Sequence, residues 1–169
     1  AIAESAGVAQ GLMYNYFGGK DDLLRAVFRE GVRDVAAALA PAEDDCTPQQ
    51  QLELFIRRSF WILAEHLDFW KLSYLLRFDP RSQELLGPEI HLWTADIRAQ
   101  FEGLLRAIGH RDAPSLAYVL FGAIDGIAQH YALDPEHYAL DEAVDALVRH
   151  FCTVPHAPVK VPGSRRRST

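Results

Sequence analysis

Apolar residues recur along this chain every three or four positions, from near its start to about residue 151. That period belongs to the α-helix and not to the alternation of a strand. The stripe Leu23, Leu24, Val27, Phe28, Val32, Val35 and Leu39 predicts a helix from Lys20 to about Ala40. Pro41 and the acidic, polar stretch up to Pro48 break it. From Gln49 a second stripe runs through Leu52, Ile56, Phe60, Leu63 and Leu67. Phe55, Ile62, His66, Phe69 and Trp70 widen it until nearly every face is apolar, which predicts a central helix. Asp68 reads as a break into a shorter helix through about Phe78, ended by Asp79-Pro80. A long helix follows from about Ser82 to Ile108, with Pro88 as a kink or a late start and Gly109 as its stop. Two more helices are predicted, Asp112 to Tyr131 and Asp141 to Phe151, joined by a turn at Asp134-Pro135. The fold class is all-α, with no strand-rich unit and no internal repeat.

The N-terminal stretch has a different rhythm. Ala6 to Leu24 reads AGVAQGLMYNYFGGKDDLL. Residues 1–6 finish a helix, Gly7 allows a sharp turn, and residues 9–16 form a short second helix before Gly18-Gly19. This is a helix-turn-helix layout, whose second helix enters the DNA major groove. Met13, Tyr16 and Phe17 are placed to face a small core, leaving Gln10, Gly11, Leu12, Tyr14 and Asn15 outward. The chain starts within a helix, so the domain is expected to be N-terminally incomplete, its first helix missing. Three segments result: a small helix-turn-helix domain over 1–41, a larger helical domain over 42–153, and a disordered tail over 154–169 ending in RRRST. Lys20 opens a helix whose positive end disfavours a cation. Either a phosphate binds there too, or the lysine is simply solvated.

Composition narrows the function. The net charge of -6 argues against a chain basic all over, but DNA binding needs only a local basic surface. No apolar run reaches the roughly 18–20 residues of a membrane span. Cys46 and Cys152 lie far apart, which suits a reducing cytoplasm better than a disulfide framework. The seven histidines form no HExxH, and Asp125 and His130 stand five apart, a poor spacing for sharing a helix face. No nucleophile elbow or phosphate loop appears. No enzyme activity, metal or cofactor is expected. Gly122 and Gly126, one turn apart inside a helix, point to close approach of a neighbouring helix or of a ligand.

Ile2, Ala3, Ala6, Gly7, Val8, Gly11, Tyr14, Tyr16, Phe17, Lys20 and Leu23 stand at the spacings of one well-known pattern. On them the chain resembles the tetracycline-repressor (TetR) family of bacterial transcriptional regulators. The departures are Ala9 and Leu12, where hydroxyl residues are usual, and Gly18-Gly19 in place of a charged residue and a serine. The resemblance implies that 1–41 is the DNA-binding domain and 42–153 the ligand-binding and dimerisation domain. It implies DNA contacts by Gln10, Gly11, Leu12, Tyr14, Asn15 and Tyr16, with Lys20 on phosphate. It implies a homodimer whose last two helices pair with their copies through Leu120, Gly122, Ala123, Gly126, Ile127, Val144, Leu147 and Phe151. It implies a small-molecule inducer, lipophilic or aromatic, held among Trp61, Trp70, Tyr74, Trp93, Ile97 and Phe121, with His66, His91 or Asp125 as polar anchors. The function implied is a repressor released from double-stranded operator DNA by that inducer. A helical small-molecule binding protein or an enzyme without DNA-binding activity is the alternative.

Overall fold

The computed structural model describes residues 16–38 and 46–153. The predicted boundary at 41 and the tail from 154 lie outside the described residues. Among these residues all regular structure is helical: α1 Lys20–Ala38, α2 Pro48–Glu65, α3 Leu67–Leu76, α4 Pro80–Ile108, α5 Ala113–Leu133 and α6 Leu140–Phe151.

Local chemistry sets several of these boundaries. Thr47 caps α2 by accepting from the Gln50 backbone N–H, while the Gln50 side chain accepts from the Thr47 N–H. This reciprocal capping box, with Pro48 in the first turn, starts the helix one residue before the expected Gln49. Asp79 caps α4 from one side, its carboxylate accepting from the Ser82 N–H at 2.8 Å, again with proline following. Pro88 sits inside α4 and does not delay its start. The break between α2 and α3 falls at His66, with φ −119° and ψ 37°, and not at Asp68.

Gly109 ends α4 at φ +104°. Its N–H reaches Arg106 O, and the His110 N–H reaches Leu105 O at 3.0 Å, so two orphan carbonyls are satisfied. A Cβ at Gly109 has open space around it, so any penalty there comes from the backbone alone. Gly109→Ala is therefore expected to cost about 1–2 kcal/mol, seen as a lower urea midpoint with an unchanged slope. An unchanged midpoint contradicts this account of the helix stop.

The core joins one face from each of four helices. Leu52, Ile56, Phe60 and Leu63 of α2 meet Ile97, Phe101 and Leu105 of α4, with Ala117 and Leu120 of α5 and Val144, Leu147 and Phe151 of α6. Phe55 packs edge-to-face on Phe101, ring centroids 4.8 Å apart. α1 lies against this bundle through Phe28 and through Gly31, where an added Cβ would overlap the Phe69 ring of α3. Two ion pairs, Arg29–Glu89 and Arg81–Asp21, tie α1 to α4.

Candidate functional site

Two of the expected DNA-contact residues, Tyr16 and Lys20, stand at the N-terminal end of α1. Tyr16 is 77% exposed, and Lys20, the first residue of the helix, is exposed as well. Both are open to a phosphate backbone. Gln10, Gly11, Leu12, Tyr14 and Asn15 lie outside the described residues. The start of α4 is close by: Arg81 holds Asp21 at 3.0 Å. The Asp79 carboxyl is held below its ordinary range, chiefly by the Ser82 backbone N–H and hydroxyl, with smaller help from Arg81 and Lys20.

The second group surrounds a cavity of about 70 Å³ between α2, α3, α4 and α5. Helical spacing brings Trp70 and Tyr74 of α3 onto one face, opposite Trp93 and Ile97 of α4. Phe121 and Asp125 of α5 complete the wall, again one turn apart. Trp70 lies 6.0 Å from Tyr74 and 6.3 Å from Trp93 between ring centroids. Six of the nine expected ligand residues thus converge. Trp61, His66 and His91 do not: Trp61 is 62% exposed on the outer side of α2, His66 is exposed at the helix break, and His91 is exposed on α4.

Sequence reasoning missed Arg77. Its Nη1 donates to both oxygens of Asp125, at 2.9 and 2.7 Å, and Gln129 donates to the same carboxylate at 2.8 Å. Its guanidinium also covers the Tyr74 ring at 5.1 Å. Burial, then the Asp125 charge, pushes the Tyr74 hydroxyl well above its ordinary pKa, so it stays a neutral phenol. The available signal was a lone arginine ending one apolar helix and a lone aspartate in the middle of another. A second, larger cavity of about 330 Å³ lies between α1, α3 and α4, lined mainly by apolar residues such as Val27, Phe28, Leu72 and Leu86, with Ser73, Arg77, Ser82 and Gln83 also on its wall. Arg77 borders both cavities.

The arrangement suits binding and offers little to catalysis. Asp125 is engaged by Arg77 and Gln129, while His130 stacks parallel on Tyr138. Burial pushes the Cys152 thiol up to about 11, so it is a poor nucleophile at neutral pH.

The third group is the outer face of α5. Leu120, Val144, Leu147 and Phe151, expected at a subunit interface, are instead core residues of one subunit, each at most 8% exposed. The amphipathic stripe that suggested them is the inward one. Tyr118, Val119, Gly122 and Leu133 face outward, with Ala123, Gly126 and Ile127 part-buried. No side chain of the described residues crowds Gly122 or Gly126. Among the described residues, neither glycine makes a close approach to another helix of the subunit.

Residues 1–27 match the bacterial regulatory proteins of the tetR family. The chain is similar to the HTH-type transcriptional regulator BetI 2 of Chromohalobacter salexigens, at 30% identity over 167 residues. That alignment covers 89% of this chain and 78% of the relative. BetI 1 of the same organism is 28% identical over 151 residues, covering 84% of this chain and 72% of the relative. Among solved structures, a transcriptional regulator from Rhodococcus sp. Rha1 superposes with a TM-score of 0.66 at 22% identity, covering 89% of this chain and 82% of that one. A TetR/AcrR-family regulator from Thermobifida fusca gives a TM-score of 0.57 at 21% identity, covering 98% of this chain and 85% of that one. These two show the shared fold. A regulator aligned over 78% of its length at 30% identity, together with the match at residues 1–27, shows more: this chain belongs to the tetR family of bacterial regulatory proteins and is a DNA-binding transcriptional regulator.

Proposed function

We propose that the protein is a cytoplasmic, homodimeric repressor, released from double-stranded operator DNA by a lipophilic or aromatic small molecule. The observation that carries the release is the aromatic cavity among Trp70, Tyr74, Trp93 and Phe121, with its charged groups paired internally. Aromatic walls with a few placed polar groups are the usual make-up of a small-molecule site. A ligand there acts through its differential affinity for the DNA-bound and free states. The route outward is short. Trp70 lines the cavity, and its neighbour Phe69 packs on Gly31 of α1, the helix that follows the DNA-reading segment. The outer stripe of α5, with two uncrowded glycines, supports the pairing of two subunits.

The test is operator binding by the intact protein, followed by fluorescence anisotropy on a fragment of its own promoter. Binding is expected to weaken steeply with salt, with a log–log slope of about −0.9 for each phosphate neutralised. Lys20→Ala is expected to reduce that slope by about 1 and to weaken binding evenly across sequences. An unchanged slope removes Lys20 from the phosphate contacts. A reporter under the same promoter should rise when the gene is deleted; a fall makes the protein an activator.

A further inference from the structure

We propose that the larger cavity, between α1, α3 and α4, is a second small-molecule site, and that it takes an uncharged, elongated lipophilic molecule with one polar end. It is separate from the aromatic cavity, with which it shares only Arg77.

The gap follows from how α3 and α4 are tied together. At the corner between them the Gln83 side chain donates to Arg77 O at 2.9 Å. At the far end the two helices meet again through Trp70 and Trp93, ring centroids 6.3 Å apart. Between these ties a cavity of about 330 Å³ stays open, and α1 closes its third side with Leu24, Val27 and Phe28. Native interiors hold few voids larger than a water molecule. An apolar gap of this size forfeits contacts on every wall, and an apolar occupant restores them. Val27 and Leu72 are 40% and 43% exposed, which gives a ligand a way in between α1 and α3. Phe28 and Leu86 on the same wall are buried, so the occupant is enclosed by three helices rather than laid on a surface.

Volume and wall length set the size. A single benzene ring occupies an apolar cavity of about 150 Å³. The same packing puts about thirteen non-hydrogen atoms in 330 Å³. From Phe69 to Arg77 the α3 wall runs for two turns, roughly 12 Å. The occupant is therefore longer than one ring. Phe69 and Ile90 make the far end apolar, while Arg77, Ser82 and Gln83 stand at the corner. The polar end of the ligand belongs at that corner.

The wall has no charge to spare. It carries no aspartate or glutamate, so a cation finds no partner there. Its one cation, Arg77, gives Nη1 to both oxygens of Asp125, at 2.9 and 2.7 Å. An anion has to compete with Asp125 for it.

Three probes with one carbon skeleton test the charge: 4-phenyl-1-butanol, 4-phenylbutyrate and 4-phenylbutylamine. Dissociation constants are measured by calorimetry on the intact protein. The alcohol is expected to bind at least about tenfold tighter than either ion. Benzyl alcohol, three methylenes shorter, should bind about 60-fold more weakly, at roughly fourfold for each buried methylene. A crystal structure with 4-phenyl-1-butanol should show its ring near Phe69 and Ile90 and its hydroxyl at the corner. Leu72→Asp adds the missing carboxylate at a part-exposed wall position, where the fold is expected to hold. The preference should then pass to 4-phenylbutylamine. Tightest binding of either ion to the unmodified protein overturns the proposal, as does equal binding of benzyl alcohol. So does density in the aromatic cavity instead, binding by none of the four, or an alcohol preference unchanged in folded Leu72→Asp. If that variant does not fold, the crystal structure and the charge series on the unmodified protein decide.

Discussion

Replacing Phe101 by alanine is expected to lower the thermal unfolding midpoint by about 6–20 °C. Phe101 is 1% exposed, in the C-terminal half of α4, and packs edge-to-face on Phe55 of α2. Truncating a buried phenylalanine removes its transfer free energy and leaves a void that neighbours fill only in part, together about 3–5 kcal/mol. Each kcal/mol shifts the midpoint by roughly 2–4 °C for a chain of this size. Against a total stability of about 5–15 kcal/mol, that loss leaves a marginal fold. Leu92→Ala is the control, because Leu92 lies on the same helix but is 66% exposed. It should stay within about 0.5 kcal/mol of the unmodified protein. A Phe101→Ala midpoint no lower than that of Leu92→Ala refutes the placement of Phe101 in the core. Phe101 also borders the aromatic cavity, so the same change is expected to weaken ligand binding.

Most of the helices were legible because they bury a stripe with helical period, and because caps and stops are chemical. Asp79-Pro80, Pro114 and Gly109 mark the boundaries of α4 and α5 in plain sequence. Thr47-Pro48 with Gln50 could have placed the start of α2 as well, since a capping box needs only those residue types at that spacing. The break at His66 carries no such mark. No glycine or proline stands there, and no side chain caps α3, so tertiary packing decides where α2 ends. Pro88 removes one N–H but does not break α4. Periodicity also fails where two faces of a helix are apolar. In α5 the stripe through Leu120 and Ala128 looks no different, by composition, from the one through Val119 and Leu133. Only burial tells them apart, and the interface residues were drawn partly from the inner stripe. In α2, Trp61 was placed among the ligand residues by the family resemblance and not by its stripe, and it is 62% exposed. The polar half of the site was missed for another reason. Asp125 stood out in sequence, but its partner Arg77 is 48 residues away on another helix, and only the fold brings them to 2.7 Å.

Gly122→Arg is expected to leave a folded subunit that no longer pairs, and to weaken operator binding by about 10²–10⁴-fold. Gly122 is exposed on α5, and nothing in the described residues stands within 4 Å of an added Cβ. Within one subunit the arginine therefore has room. It also removes a mid-helix glycine, which favours the helix by roughly 0.8–1 kcal/mol. The melting point of the isolated subunit should hold or rise apart from any stability that pairing itself contributed. At a helix–helix seam the effect reverses, because the glycine is replaced by a bulky, buried charge. A dimer reaches its second half-site at a high local concentration, and a monomer loses that advantage entirely. Light scattering should then report the monomer mass, with a helical circular dichroism spectrum unchanged. Leu120→Arg separates this from simple damage. Leu120 is fully buried, so a charge there is expected to unfold the subunit rather than split a folded pair. If Gly122→Arg remains a dimer with full operator affinity, the outer stripe of α5 is not the seam. If Leu120→Arg gives a folded monomer, the interface includes Leu120 and its assignment to the core is wrong.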